Sequence, residues 1–209
     1  MNFIRLKKGL SVFILCLFSL PPAFSQNAAT LDSVCSVISS HKVTEGSFVQ
    51  EKRVSPTKRA LKSSGTFILS GEGLYLQTLH PLQTAMGVTK ESYISVSADG
   101  ARTVIDTKDN AAFQGLADVI TALLSGDKEE LETYFAAEVT GSKEAWNLNL
   151  KAKDETVSSS VKTISLTGDK VNILSLSLIN AADGSVTYTF TNHAYKEALS
   201  DGQKALFKK

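Results

Sequence analysis

The sequence is poor in the residues that most often announce catalysis or metal binding. It contains two cysteines, Cys16 and Cys35, and three histidines, His41, His80 and His193. The histidines are too scattered for a zinc-type ligand set, and no paired-cysteine spacing accompanies them, so no metal is expected. Surface or turn positions are the expectation for all three. Neither a Gly-x-Ser-x-Gly elbow nor a glycine-rich phosphate loop is present, so no cofactor is expected and nothing positive points to an enzyme. A basic stripe with interleaved aromatics is also missing, which argues against nucleic acid as a partner. There is no linker or low-complexity stretch, and no repeat longer than a hairpin.

The N-terminus carries a definite signal. Arg5, Lys7 and Lys8 precede an apolar run from Leu10 to Leu20, which Pro21 and Pro22 end. Ala23-Phe24-Ser25 places small residues three and one before Gln26, the spacing a signal peptidase accepts, and the run is too short for a resident membrane helix. Residues 1–25 are therefore expected to be a removed signal peptide, and 26–209 a single exported domain. Cys16 sits inside the apolar run after the bulky Leu15, a poor context for lipidation. Losing Arg5, Lys7 and Lys8 leaves 19 basic against 21 acidic residues, a net charge of −2. Cys35 is then the one cysteine left, so no internal disulfide can form and stability must come from a core. Its neighbours Leu31, Val34 and Ile38 mark it as buried filler.

Those four residues repeat at helical spacing between Thr30 and Ser40. The period then changes to two: Phe48 and Gln50, Phe67 and Leu69, Leu74 and Leu76, Ile94 and Val96, then Trp146, Leu148 and Leu150 mark strands. Turn residues separate them at Ser55-Pro56, Ser70-Gly71-Glu72-Gly73, His80-Pro81, Ala98-Asp99-Gly100, Thr167-Gly168-Asp169 and Ala182-Asp183-Gly184. Connections this short join antiparallel neighbours. Leu116, Val119, Ile120 and Leu123 return to helical spacing before Ser125-Gly126, and Asp127 with Glu130 has capping-box spacing for another helix through Tyr134. Strands resume near Ala137 and run to Val186, Tyr188 and Phe190. The expected fold is mainly β with some helix (α+β): one curved antiparallel sheet of roughly ten strands, with about three short helices against one face.

Three short helices cover little of so long a sheet, so an apolar concavity and an ordinary closed core both remain open on periodicity alone. The residues on which the choice turns are Phe48, Phe67, Leu69, Leu74, Leu76, Trp146, Leu148 and Phe190. Alternation places them on one face or the other without saying which face is concave.

Several stretches resemble the LolA family of periplasmic lipoprotein carriers. Gly46-Ser47-Phe48-Val49-Gln50-Glu51-Lys52 followed by Leu61-Lys62-Ser63-Ser64-Gly65-Thr66-Phe67 is similar to the family's opening strands. Gly73-Leu74-Tyr75-Leu76-Gln77-Thr78 ending at Pro81 resembles its aromatic strand and proline turn. Leu148-Asn149-Leu150-Lys151-Ala152-Lys153 resembles a later strand end, and Asp183 to Asn192 the closing hairpin. The resemblance spans about Leu31 to Phe207. It implies a half-barrel whose helical lid, carrying Leu116, Val119, Ile120 and Leu123, covers a cavity for acyl chains lined by the eight residues named above. It also implies a monomer carrying lipoproteins or other acylated lipids through the periplasm, from an inner-membrane ABC exporter to an outer-membrane acceptor. Three positions depart from the family pattern. Ser70-Gly71 stands where an arginine-proline pair latches the lid, Leu76 where a tryptophan is usual, and Ala152 where a proline ends the strand. Two further classes stay open: an exported hydrolase or lyase on a half-barrel scaffold, and an adaptor binding protein through its sheet edges.

Overall fold

The computed structural model describes residues 27–54, 59–109, 111–153, 155–158, 161–180 and 182–209, without the side chains of 111, 112, 116, 156 and 157. The expected leader, residues 1–25, Gln26 and the Ser55-Pro56 turn lie outside these residues.

Alternating side chains and short turns produce eleven strands in one sheet: β1 Val43–Arg53, β2 Ala60–Ser70, β3 Gly73–His80, β4 Thr84–Val88, β5 Ser92–Val96, β6 Arg102–Asp106, β7 Phe135–Ser142, β8 Ala145–Ala152, β9 Val161–Gly168, β10 Ile173–Asn180 and β11 Ser185–Lys196. Their spatial order is β6-β5-β4-β3-β2-β1-β11-β10-β9-β8-β7, with every neighbouring pair antiparallel. All but one of these pairs join strands consecutive in the chain. The exception is β1 with β11, which brings the first and last strands together at the centre, Phe48 opposite Phe190. The tight β2–β3 corner depends on Gly73, whose φ of +140° suits glycine and whose missing Cβ would lie 2.0 Å from the Val88 carbonyl oxygen.

The sheet is open, and β6 and β7 are its two edges. The chain between them must therefore pass from one edge to the other across a face. It does so through a 3-10 turn at Thr107–Asp109 and two helices, α2 Ala111–Ser125 and α3 Lys128–Tyr134. α2 meets β3, β4 and β5 on one side and the first helix, α1 Leu31–Ile38, on the other. Local chemistry fixes the helix ends. Thr30 and Ser33 form a reciprocal capping box at α1, Asp127 accepts from the Glu130 amide at α3, and Gly126, at φ +69°, ends α2 where a Cβ would lie 2.8 Å from Ser39 Oγ.

The helix count is higher than the sequence pattern implied. A single turn, α4 Glu155–Ser158, follows β8, and α5 Asp201–Leu206 closes the chain. α5 is not part of the lid. Leu199, Leu206 and Phe207 pack with Val43, Ile68 and Tyr75, and Tyr75 alternates with the lid-facing Leu74 and Leu76. Helices therefore lie on both faces, because the convex side also carries an apolar strip that needs cover. The lid side holds two clusters. In one, Val34, Cys35, Ile38, Val119, Leu123, Leu131 and Phe135 close over Trp146, Leu148 and Leu150. In the other, Ala117 and Ile120 meet Phe48, Phe67, Leu74, Leu76, Tyr188 and Phe190.

Candidate functional site

Between these two clusters the concave face is not filled. Strand alternation brings Phe67 and Leu69, Leu74 and Leu76, Ile164 and Leu166, Leu176 and Leu178, and Tyr188 and Phe190 to one side, with Met86 beside them. α1 and α2 roof the space with Val37, Ile38, Val119, Ile120, Leu123 and Leu124. The result is a cavity of about 160 Å³ with an almost wholly apolar wall. That is close to an engineered apolar cavity that admits one benzene, and smaller than common ligand sites of about 300–1,000 Å³. In this conformation it has no room for a long acyl chain. A second cavity of about 290 Å³ adjoins it, lined by Phe48, Gln50, Thr78, Thr84, Ser95 and Tyr188 among others. Leu76, Met86 and Tyr188 wall both.

Of the eight residues singled out as cavity-lining, Phe67, Leu69, Leu74, Leu76 and Phe190 line the first cavity, and Phe48 lines the second. Trp146 and Leu148 line neither. They belong to the filled cluster beneath α1 and α3, where the indole occupies the space left by Gly168, whose added Cβ would lie 2.1 Å from the ring. Its Nε1 donates to the Asp169 carbonyl oxygen at 2.6 Å. Alternation could not separate these two residues from the other six, because all eight lie on the same face. Among the lid residues, Val119, Ile120 and Leu123 reach the cavity, while the Leu116 side chain is outside the described residues. Cys35 is buried, and burial first, then the Asp32 carboxylate, raises its thiol pKa above the usual range, as suits an inert core group.

Sequence reasoning missed Met86, Ile164, Leu166, Leu176, Leu178 and Tyr188, although the last five share the same period of two. It also misplaced two histidines. His41 and His193 line the first cavity, because β1 and β11 pair and bring the two ends of the chain together. The His41 ring stacks on Tyr195 at 3.8 Å, and His193 Nε2 lies 3.0 Å from the Ile173 carbonyl oxygen. His80, at the end of β3, is exposed as expected.

The Ser70-Gly71 corner is a plain tight turn in which Ser70 Oγ accepts from the Glu72 amide. Arg53 does not replace the missing latch. Its guanidinium is held by Glu51 Oε1 at 2.6 Å, and both alternate with Gln50, which faces the second cavity, so they point to the convex side. α2 is held instead by apolar contacts and by Phe113, which lies flat on Tyr93 with centroids 4.1 Å apart and 3° between the planes. The aliphatic contacts are non-directional and can re-form after sliding, unlike a hydrogen-bonded latch.

Residues 108–205 match a family model described as outer membrane lipoprotein carrier protein LolA-like. No curated protein matches the sequence. Among solved structures, the chain is similar to one in the Pseudomonas aeruginosa MucA/MucB complex, with 16% identity and a TM-score of 0.44 over 83% of this chain; it spans 58% of that chain's length. It is also similar to a LolA superfamily protein from Nitrosomonas europaea, with 8% identity and a TM-score of 0.44 over 86% of this chain and 96% of that one. A third is the Mycobacterium tuberculosis lipoprotein LppX, with 7% identity and a TM-score of 0.43 over 80% and 93%. Residues 108–205, from the 3-10 turn to α5, are thus LolA-like in sequence, and they supply β7 to β11 of the single curved, unclosed sheet.

Proposed function

We propose that this chain is an exported carrier that takes up the acyl chains of lipoproteins or related lipids and passes them from the inner to the outer membrane. The observation that carries the reading is an apolar trough roofed by a helix that meets the sheet through aliphatic side chains and the stack of Phe113 on Tyr93. Burying a methylene stabilises a bound chain by about 0.8 kcal/mol, so a long chain in water costs on the order of 10 kcal/mol. A wall of aliphatic and aromatic side chains offsets that cost without fixing chain length. The small volume with the lid closed means that entry must lift α2, and the space must collapse again when the chain leaves. Reversible uptake suits a shuttle better than an enclosed permanent site. The family match over α2 to α5 supports the same reading. On this reading residues 1–25 direct export to the periplasm, an inner-membrane ABC exporter loads the carrier, and an outer-membrane acceptor empties it. The chain acts by binding, not by catalysis.

Native mass spectrometry of protein expressed with its leader and purified without detergent tests this. Adducts with lipid masses, lost on mild organic extraction, are expected. Lipid-free protein whose melting temperature does not move when acylated lipid is added would overturn the proposal.

A further inference from the structure

Hydrocarbon alone does not account for the second cavity. Its wall carries the amide of Gln50 and the hydroxyl-bearing Thr78, Thr84, Ser95 and Ser97, the last already donating to Asp99 Oδ1, and among the described residues no Lys, Arg, Asp, Glu or His lines it. It meets the apolar cavity at Leu76, Met86 and Tyr188, so one molecule could lie in both. A directional hydrogen-bond chain ends at that seam. Ser63 Oγ donates to Gln50 Oε1 at 2.6 Å, and Gln50 Nε2 donates to Tyr188 Oη at 2.8 Å. The Tyr188 oxygen is thus occupied as an acceptor, and its own proton is left to give. The phenol is buried, its ring set edge-on to Phe48 and parallel to Phe190. Burial also pushes its pKa up to about 12, so it stays a donor.

This arrangement suits a carbonyl oxygen at the seam and an uncharged polar group beyond it. A phosphate or carboxylate head would give up hydration and meet no cation on this wall. We propose that the two cavities form one bipartite site for an acyl ester with an uncharged, hydroxyl-bearing head, the chain beneath α2, the head among the hydroxyls of β3 to β5, and the ester carbonyl accepting from Tyr188. The inference rests on the carrier reading and narrows its cargo.

The test compares three probes with the same sixteen-carbon chain, each below its micelle concentration: 1-palmitoylglycerol, palmitate and 1-palmitoylglycerol 3-phosphate. Binding is read by calorimetry on protein purified without detergent. The uncharged ester should bind at least about tenfold more tightly than either anion, and Tyr188→Phe, which keeps the ring, should lose about tenfold for the ester and little for palmitate. Gln50→Leu, which breaks the chain one step back, should show a smaller loss in the same direction, and it serves as the reporter if Tyr188→Phe fails to keep the wild-type circular dichroism. Equal affinity for all three probes would overturn the head-group selectivity while leaving the carrier reading intact. A retained preference in well-folded Tyr188→Phe would overturn the role of Tyr188. Binding of none of them would remove the carrier reading, and this inference with it.

Discussion

Leu76 and Trp146 are both large, apolar and buried on the concave side, and they should answer substitution in opposite ways. Leu76 borders both cavities, so in Leu76→Glu the carboxylate can turn toward the hydroxyl-lined space and keep part of its hydration. Folding should survive with a modest loss of melting temperature, while lipid binding collapses because an entering chain would have to strip the charge. Phe67→Glu should follow the same pattern at greater cost to folding, since the Phe67 ring stands edge-on to Phe190 at 4.8 Å. Trp146 lies against a glycine and under two helices. Trp146→Ala should destabilise by about 3–5 kcal/mol through a cavity and an orphaned carbonyl, yet leave lipid affinity unchanged in the fraction that folds. Denaturant titration with a lipid-binding assay on each variant separates these outcomes, and an unfolded Leu76→Glu would mean that this face is closed core. At this scale the sequence was half legible. It marked all eight apolar positions, but whether a side chain meets another side chain or a void depends on what is packed opposite.

The element with the most to reveal is α2. Its helical period was plain in Val119, Ile120 and Leu123, and so was its end at Gly126. What holds it in place was not plain, because the Tyr93–Phe113 stack joins a strand and a helix that lack any shared sequence pattern. With no described arginine latch, α2 should open well below the free energy of global unfolding. Hydrogen exchange should therefore find the amides of residues 117–124 exchanging faster than those of β8 and β9, and slowing when lipid is bound. Phe113→Ala removes a stack worth about 0.5–1.5 kcal/mol and should speed exchange in α2 several-fold without a comparable change in β8. Exchange in α2 as slow as in β8 would show that the lid does not move on its own. The short α5 was missed because six residues span too little of a helical period to stand out. Its capping box at Ser200 and Gln203 was the signal available.

For the whole molecule, the N-terminal reading predicts that protein recovered after export begins at Gln26 or within a residue or two of it. Intact-mass and N-terminal analysis decide this: retention of Met1 would remove the export assignment, and a lipid on Cys16 would replace a free carrier with an anchored one. The arrangement of the chain gives the lid its necessity. Hairpins place β1 to β6 on one half of the sheet and β7 to β11 on the other, and the only way between the two outer edges is across a face. The connecting segment is helical and apolar on one side, so it becomes the roof of whatever the curled sheet encloses.

Turn chemistry and the period of two, both local properties, determined that this chain is a meandering antiparallel sheet interrupted by helices. Local periodicity also reached Val119, Ile120 and Leu123 of the candidate lid and five residues of the cavity wall, Phe67, Leu69, Leu74, Leu76 and Phe190, but not the rest of that wall. Three matters were left to the tertiary structure: which face curls inward, where the concavity stays empty, and how His41 and His193 come to share one rim. Each depends on contacts between residues far apart in the chain. The β1–β11 pairing joins the two halves, and the crossing of α2 sets the volume left beneath it. Alternation is read along a single strand and carries no information about the distance between opposite walls, and that distance is what separates a core from a cavity.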